Sequence, residues 1–283
     1  MKDKSKAKRI VSADGLNIYY WINWDNNLTN AFNILHSGAS MNHSSLDSIE
    51  RGLTERAHPT IVFDPRGQGY SDAPTKKEFY QLERFSSDLQ KIVEQEGLEK
   101  PEFVTHSLGF MPVLDYVAET KNASRIIGIC ASPKFSETAP SKALFHVFNK
   151  ALRYVDYLGS LAMKVSNTVN GNAVSYPDQS NLEGKSDFEV WKRIVNISLQ
   201  RTRGNTISGT QVNKWDIANQ LCHLYTPLLL IYGREDVMVR PLAGEYIKLL
   251  SRGECDVEII KGTHSLPLTR PEEVLRVIDK YSK

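Results

Sequence analysis

Short apolar runs rich in β-branched residues alternate along this chain with longer segments whose apolar positions recur every three to four residues. The first pattern predicts strands at residues 8–12, 16–22, 31–35, 60–63, 102–105, 125–130, 227–232 and 256–260. The second predicts helices at 45–57, 82–96, 108–119, 242–251 and 271–281. Asp14-Gly15, between the first two strands, is a hairpin signal. From the third strand onward strand and helix alternate. That order predicts an α/β fold, a mostly parallel eight-stranded sheet flanked by helices, with an antiparallel hairpin at its N-terminal edge.

One stretch breaks the alternation. Between Pro133 and Leu224 no run reads as a buried strand, whereas helical patterns occur at 143–165, 188–200 and 212–221, separated by Gly and Pro turns. The chain therefore divides into a core domain, residues 1–133 and 223–283, and a helical cap, residues 134–222, inserted after strand 6. The cap helices carry large apolar side chains, among them Phe145, Tyr157, Met163 and Trp191. Docking on the core uses most of these, since a helix must bury one face. The rest are expected to face a cleft, which makes Phe145 and Trp191 candidate substrate contacts.

Composition narrows the class. A chain of 283 residues that is 41% hydrophobic and 24% charged is an ordinary globular protein, neither disordered nor fibrous. The net charge is only +2, and the one basic cluster, Lys2, Lys4, Lys6, Lys8 and Arg9, is a terminal run, so no nucleic-acid surface is expected. Cys130, Cys222 and Cys255 are odd in number and far apart, which argues against a disulfide framework and a clustered zinc site. The N-terminal residues have no apolar core of the signal-peptide kind, and no run reaches membrane-spanning length. A cytoplasmic protein is expected.

The candidate chemistry lies at strand ends. Thr105-His106-Ser107-Leu108-Gly109 follows a predicted strand and opens a predicted helix. A serine at such a turn is either an ordinary helix cap or a nucleophile raised above a sheet. A nucleophilic hydroxyl needs an imidazole to take its proton and an acid to orient that imidazole. Asp236, beside Glu235, follows the strand at 227–232, and His264 follows the strand at 256–260. All three therefore leave the carboxyl ends of strands, where open α/β sheets place their sites.

These segments resemble the α/β-hydrolase family over nearly the whole chain outside the insertion. The chain order Ser, Asp, His matches that family, and its G-x-x-D pattern selects Asp236 over Glu235. Phe63 to Asp72, FDPRGQGYSD, is similar to the D-x-R-G-x-G-x-S loop, and Leu35 to Ser40, LHSGAS, to the His-Gly oxyanion loop. The resemblance implies a catalytic triad of Ser107, Asp236 and His264. It also implies an oxyanion hole made by the amides of Leu108 and Gly38, with Ala39 as the alternative register. Three positions depart from the pattern: Thr105 and Ser37 replace glycines, and Phe110 stands where a second glycine often follows the elbow.

Other groups receive structural roles. His106 is expected to pack beside the turn rather than act as base, and it is also a candidate substrate contact. His36 is expected to order the oxyanion loop, and Asp64, Arg66 and Asp72 to shape their own loop. His43 reads equally as pocket lining or surface. The expected activity is hydrolysis of hydrophobic, uncharged carboxylic esters through an acyl-enzyme, with small-molecule ester and water as partners. No cofactor or metal is called for. Carbon-carbon bond hydrolases, lactonases and thioesterases share the triad and are alternatives, as is a weakly catalytic, receptor-like ligand-binding protein on the same fold. Oligomeric state has no signature in the sequence.

Overall fold

The computed structural model describes residues 2–24, 31–38, 41–134 and 215–281, together with Lys185 and Glu189. Its eight strands are β1 (Lys8–Val11), β2 (Asn17–Asn23), β3 (Asn33–His36), β4 (Thr60–Phe63), β5 (Glu102–His106), β6 (Arg125–Ile129), β7 (Leu228–Gly233) and β8 (Cys255–Ile260). They form one sheet in the order β1-β2-β4-β3-β5-β6-β7-β8. The β1/β2 and β2/β4 pairs are antiparallel and every other pair is parallel. Gly15, with φ of 84°, turns the first hairpin, as the Asp-Gly signal requires.

The α-helices with described bounds are α1 (Asp47–Glu55), α2 (Leu82–Gln95), α3 (Phe110–Thr120), α4 (Ala218–Leu221), α5 (Leu242–Leu250), α6 (Leu266–Thr269) and α7 (Pro271–Lys280). The central strands are apolar at nearly every position because both faces of the sheet are covered. Along β7, Leu228, Leu230 and Tyr232 point into the layer that holds α2, α3 and α5, while Leu229 and Ile231 point into the layer that holds α1, α6 and α7. This is the predicted fold class. The doubly covered sheet fixes the loops at its carboxyl edge.

The excursion after β6 has a defined neck. The amide of Ile217 donates to the Pro133 carbonyl at 3.1 Å, and Lys134 pairs with Asp216 at 2.8 Å. Of the helix expected at 212–221, the described part is α4, which packs Leu221 into the core. Apart from Glu189, the helices expected at 143–165 and 188–200, and with them Phe145 and Trp191, lie outside the described residues, as does Ala39. Among the described residues no helix is long and apolar enough to cross a membrane.

Candidate active site

The chain turns sharply from β5 into α3 at Ser107, whose φ of 52° lies in the left-handed region that side chains usually avoid. Such a conformation persists only where its surroundings hold it. Here they do so through close approach. A Cβ on Gly109 would stand 2.5 Å from the His36 carbonyl oxygen and 2.7 Å from that of Ser37, so only glycine lets the turn and the loop after β3 meet. Gly38 on that loop is also close, since a Cβ there would lie 3.3 Å from the Ser107 Cβ.

Ser107 is set against two side chains from other strand ends. Its Oγ donates to His264 Nε2 at 2.8 Å, and His264 Nδ1 donates to Asp236 Oδ2, also at 2.8 Å. The other carboxylate oxygen of Asp236 accepts the amides of Met238 and Val239 at 2.8 and 2.9 Å. Burial opposes ionisation of Asp236, but the bond and charge of His264 and the two amides outweigh it and hold the carboxyl below its ordinary range. A carboxylate receiving Nδ1–H leaves Nε2 free to accept a proton, the tautomer a general base needs. Glu235 faces elsewhere and accepts the Gly262 amide at 2.6 Å, which ties the Asp236 loop to the His264 loop.

The departures from the family pattern each have a local compensation. Thr105 is fully buried and its hydroxyl donates to the Ile127 carbonyl at 3.0 Å on the adjacent strand. The ring of Phe110 fits because β6 has Gly128 opposite, where a Cβ would come within 3.2 Å of it. Ser37 donates from Oγ to the Met41 carbonyl at 2.9 Å, so the residue in place of glycine pins the loop instead of loosening it.

The histidines separate clearly. His36 donates from Nδ1 to the Ser37 carbonyl at 2.9 Å, and burial, opposed by that bond, pushes its pKa down to about 4. His106 is buried beside the turn and donates from Nε2 to the main-chain oxygen of His264 at 2.8 Å. That bond is the feature the sequence reading misses, because nothing local signals it. His43 is neither pocket lining nor surface: it is fully buried, and its amide and Nδ1 both donate to Asp64 Oδ1 at 2.8 Å. Asp64 also accepts the Tyr70 amide, while Arg66 forms a two-bond pair with Asp88 and reaches Asp14 at 2.8 Å. Asp72 accepts the amide and side chain of Asn17. This loop thus ties together β2, α2 and the segment before α1.

Residues 31–271 match a family model described as alpha/beta hydrolase fold. By sequence the chain is similar to a proline iminopeptidase of Elizabethkingia meningoseptica, 20% identical over 255 residues that span 78% of each chain. It is similar in structure to a hydrolase from Pseudomonas aeruginosa PA01, with a TM-score of 0.75 and 17% identity over 99% of both chains. An esterase from Exiguobacterium antarcticum has a TM-score of 0.73 at 18% identity, over 96% of this chain and 98% of that one.

Proposed function

The chain belongs to the alpha/beta hydrolase fold family, and within it we propose a serine hydrolase that cleaves carboxylic esters of hydrophobic, uncharged acyl or aryl groups. The observation that carries this reading is the unbroken relay from Ser107 through His264 to Asp236, with 2.8 Å at both steps. Ser107 Oγ attacks the acyl carbonyl while His264 Nε2 takes its proton, and Asp236 keeps the ring in the Nδ1–H tautomer and stabilises the imidazolium. The amides of Leu108 and Gly38 are assigned to the developing oxyanion, where each fixed donor contributes about 3 kcal/mol. His264 then returns the proton to the leaving alcohol. Water activated by the same ring hydrolyses the acyl-enzyme.

One fold serves several acyl substrates, and the names of two similar proteins, an iminopeptidase and an esterase, are in keeping with that. An ester is favoured because its alkoxide leaves more readily than an amine. A hydrophobic acyl group is favoured by the side chains that follow the acid: Val237 is 65% and Met238 39% exposed. The apolar residues of 134–222, read as a cap over Ser107 with Phe145 and Trp191 toward the substrate, support the same assignment. The test is a series of 4-nitrophenyl esters of increasing acyl length. Values of kcat/KM should rise about fourfold per methylene, the equivalent of ~0.8 kcal/mol of burial, until the pocket is full. A preference for acetyl or for charged acyl groups would overturn the substrate assignment.

A further inference from the structure

The side of His264 that faces Asp236 holds a third group with no part in the mechanism above. Cys130 follows β6 with φ of 52° and is fully buried. Its amide donates to the Ile231 carbonyl at 2.8 Å on β7, which sets it beside the loop that carries Asp236. The Cys130 sulfur, a carboxylate oxygen of Asp236 and a ring nitrogen of His264 lie within 4.8 Å of one another. The sulfur also lies 3.9 Å from the Thr263 carbonyl, in the loop that carries His264. No spacing in the sequence signals this cluster, because its members come from the ends of three different strands.

Thiolate, imidazole and carboxylate together are the ligand set of zinc and of the softer cadmium. Bond lengths of about 2.0 to 2.3 Å to a tetrahedral ion put ligand atoms roughly 3.3 to 3.8 Å apart, so side-chain rotations of about 1 Å close the cluster around one ion. We propose that Cys130, Asp236 and His264 form an inhibitory site for a thiophilic divalent cation such as Zn²⁺, with water in the fourth position. The inhibition, though not the binding, rests on the serine-hydrolase reading.

The charge balance favours the site, against the cost of deprotonating the thiol. Burial and the charge of Asp236 hold the Cys130 thiol protonated well above its ordinary range, so the cation must displace that proton to solvent. The proton on His264 Nδ1 moves to Nε2 when Nδ1 binds the metal, and the ring stays neutral. One thiolate and one carboxylate then cancel the two positive charges, which suits a buried position. With a proton on Nε2, His264 has no lone pair for the Ser107 hydroxyl. The metal thereby imposes the same wrong tautomer that an asparagine at Asp236 would impose.

The experiment has two arms on the full chain. In the first, Zn²⁺ is titrated against ester turnover, and inhibition should be reversed by a chelator and weakened about tenfold or more in Cys130→Ala and Cys130→Ser. In the second, Cd²⁺ is added without substrate and thiolate-to-cadmium charge-transfer absorption is followed. Wild type should show the band saturating at one equivalent, Cys130→Ala should lack it, and His264→Ala should need about tenfold more Cd²⁺. Equal Zn²⁺ inhibition in wild type and both Cys130 variants, or a band that survives Cys130→Ala, overturns the site. If both Cys130 variants fail to fold, an unchanged Cd²⁺ titration in His264→Ala does so. A wild type that binds Cd²⁺ as described yet neither hydrolyses ester nor reacts with a fluorophosphonate would sink the serine-hydrolase reading and leave the site standing.

Discussion

His106 Nε2 lies 2.8 Å from the main-chain oxygen of His264, so the residue before the proposed nucleophile holds the proposed base. A carbonyl only accepts, so Nε2 carries a proton. Burial, followed by the charge of His264, pushes the His106 pKa down to about 3 and keeps it neutral at working pH. His106→Leu should lower kcat by about 10- to 100-fold, the scale of a displacement of about 1 Å at a reacting group, with KM nearly unchanged. His106→Gln, whose side-chain amide can still donate, should recover most of the loss. Wild-type kcat in the leucine variant would show that the bond does not position the base.

Gly109→Ala tests the contact between the elbow and the loop after β3. The new Cβ would meet the His36 and Ser37 carbonyl oxygens at 2.5 and 2.7 Å, and backbone cannot yield as a flexible side chain can. A loss of about 1 to 3 kcal/mol in unfolding free energy is expected, the usual range for overpacking a core. Activity should fall further than stability, because the displaced loop carries Gly38. Denaturant unfolding and kcat measured on the same preparation decide it, and an alanine variant equal to wild type in both would contradict the account.

Two buried neutral histidines make stability depend on pH. Folding lowers His36 from 6.5 to about 4 and His106 from 6.5 to about 3, with burial as the main cause in each. Between pH 6.5 and about 4 the unfolded chain binds these protons and the folded one does not, so stability is complete above the unfolded value and is lost as pH falls. Each residue accounts for on the order of 3 kcal/mol by pH 4. Unfolding free energy plotted against pH should therefore slope downward below 6.5, and His106→Gln should remove about one proton from that slope. An unchanged slope would mean that His106 is accessible to protons in the folded state.

Much of this architecture is legible in the sequence. Uninterrupted apolar runs such as Leu228 to Tyr232 announce strands covered on both faces, and Ser107, Asp236 and His264 each stand just past a predicted strand. What the sequence does not carry is pairing across the sheet. The position of β4 between β2 and β3 is set by tertiary packing, and no local pattern specifies it. The bond from His106 to the His264 carbonyl spans 158 residues, and the Gly128 that makes room for Phe110 lies on a neighbouring strand. Ser37 reads as a defect in the oxyanion loop until its hydroxyl is seen to bind the Met41 carbonyl.

The most direct test of the central claim is covalent labelling of Ser107 by a fluorophosphonate, which reacts with a serine whose hydroxyl is activated by an adjacent base. Intact mass and peptide mapping of folded wild-type protein should show one adduct, on Ser107. The rate should fall by roughly 10³-fold or more in His264→Ala and in Asp236→Asn, whose amide favours the wrong ring tautomer. No adduct on the folded protein, or an adduct at another residue with Ser107 unmodified, would contradict the assignment of Ser107 as the nucleophile.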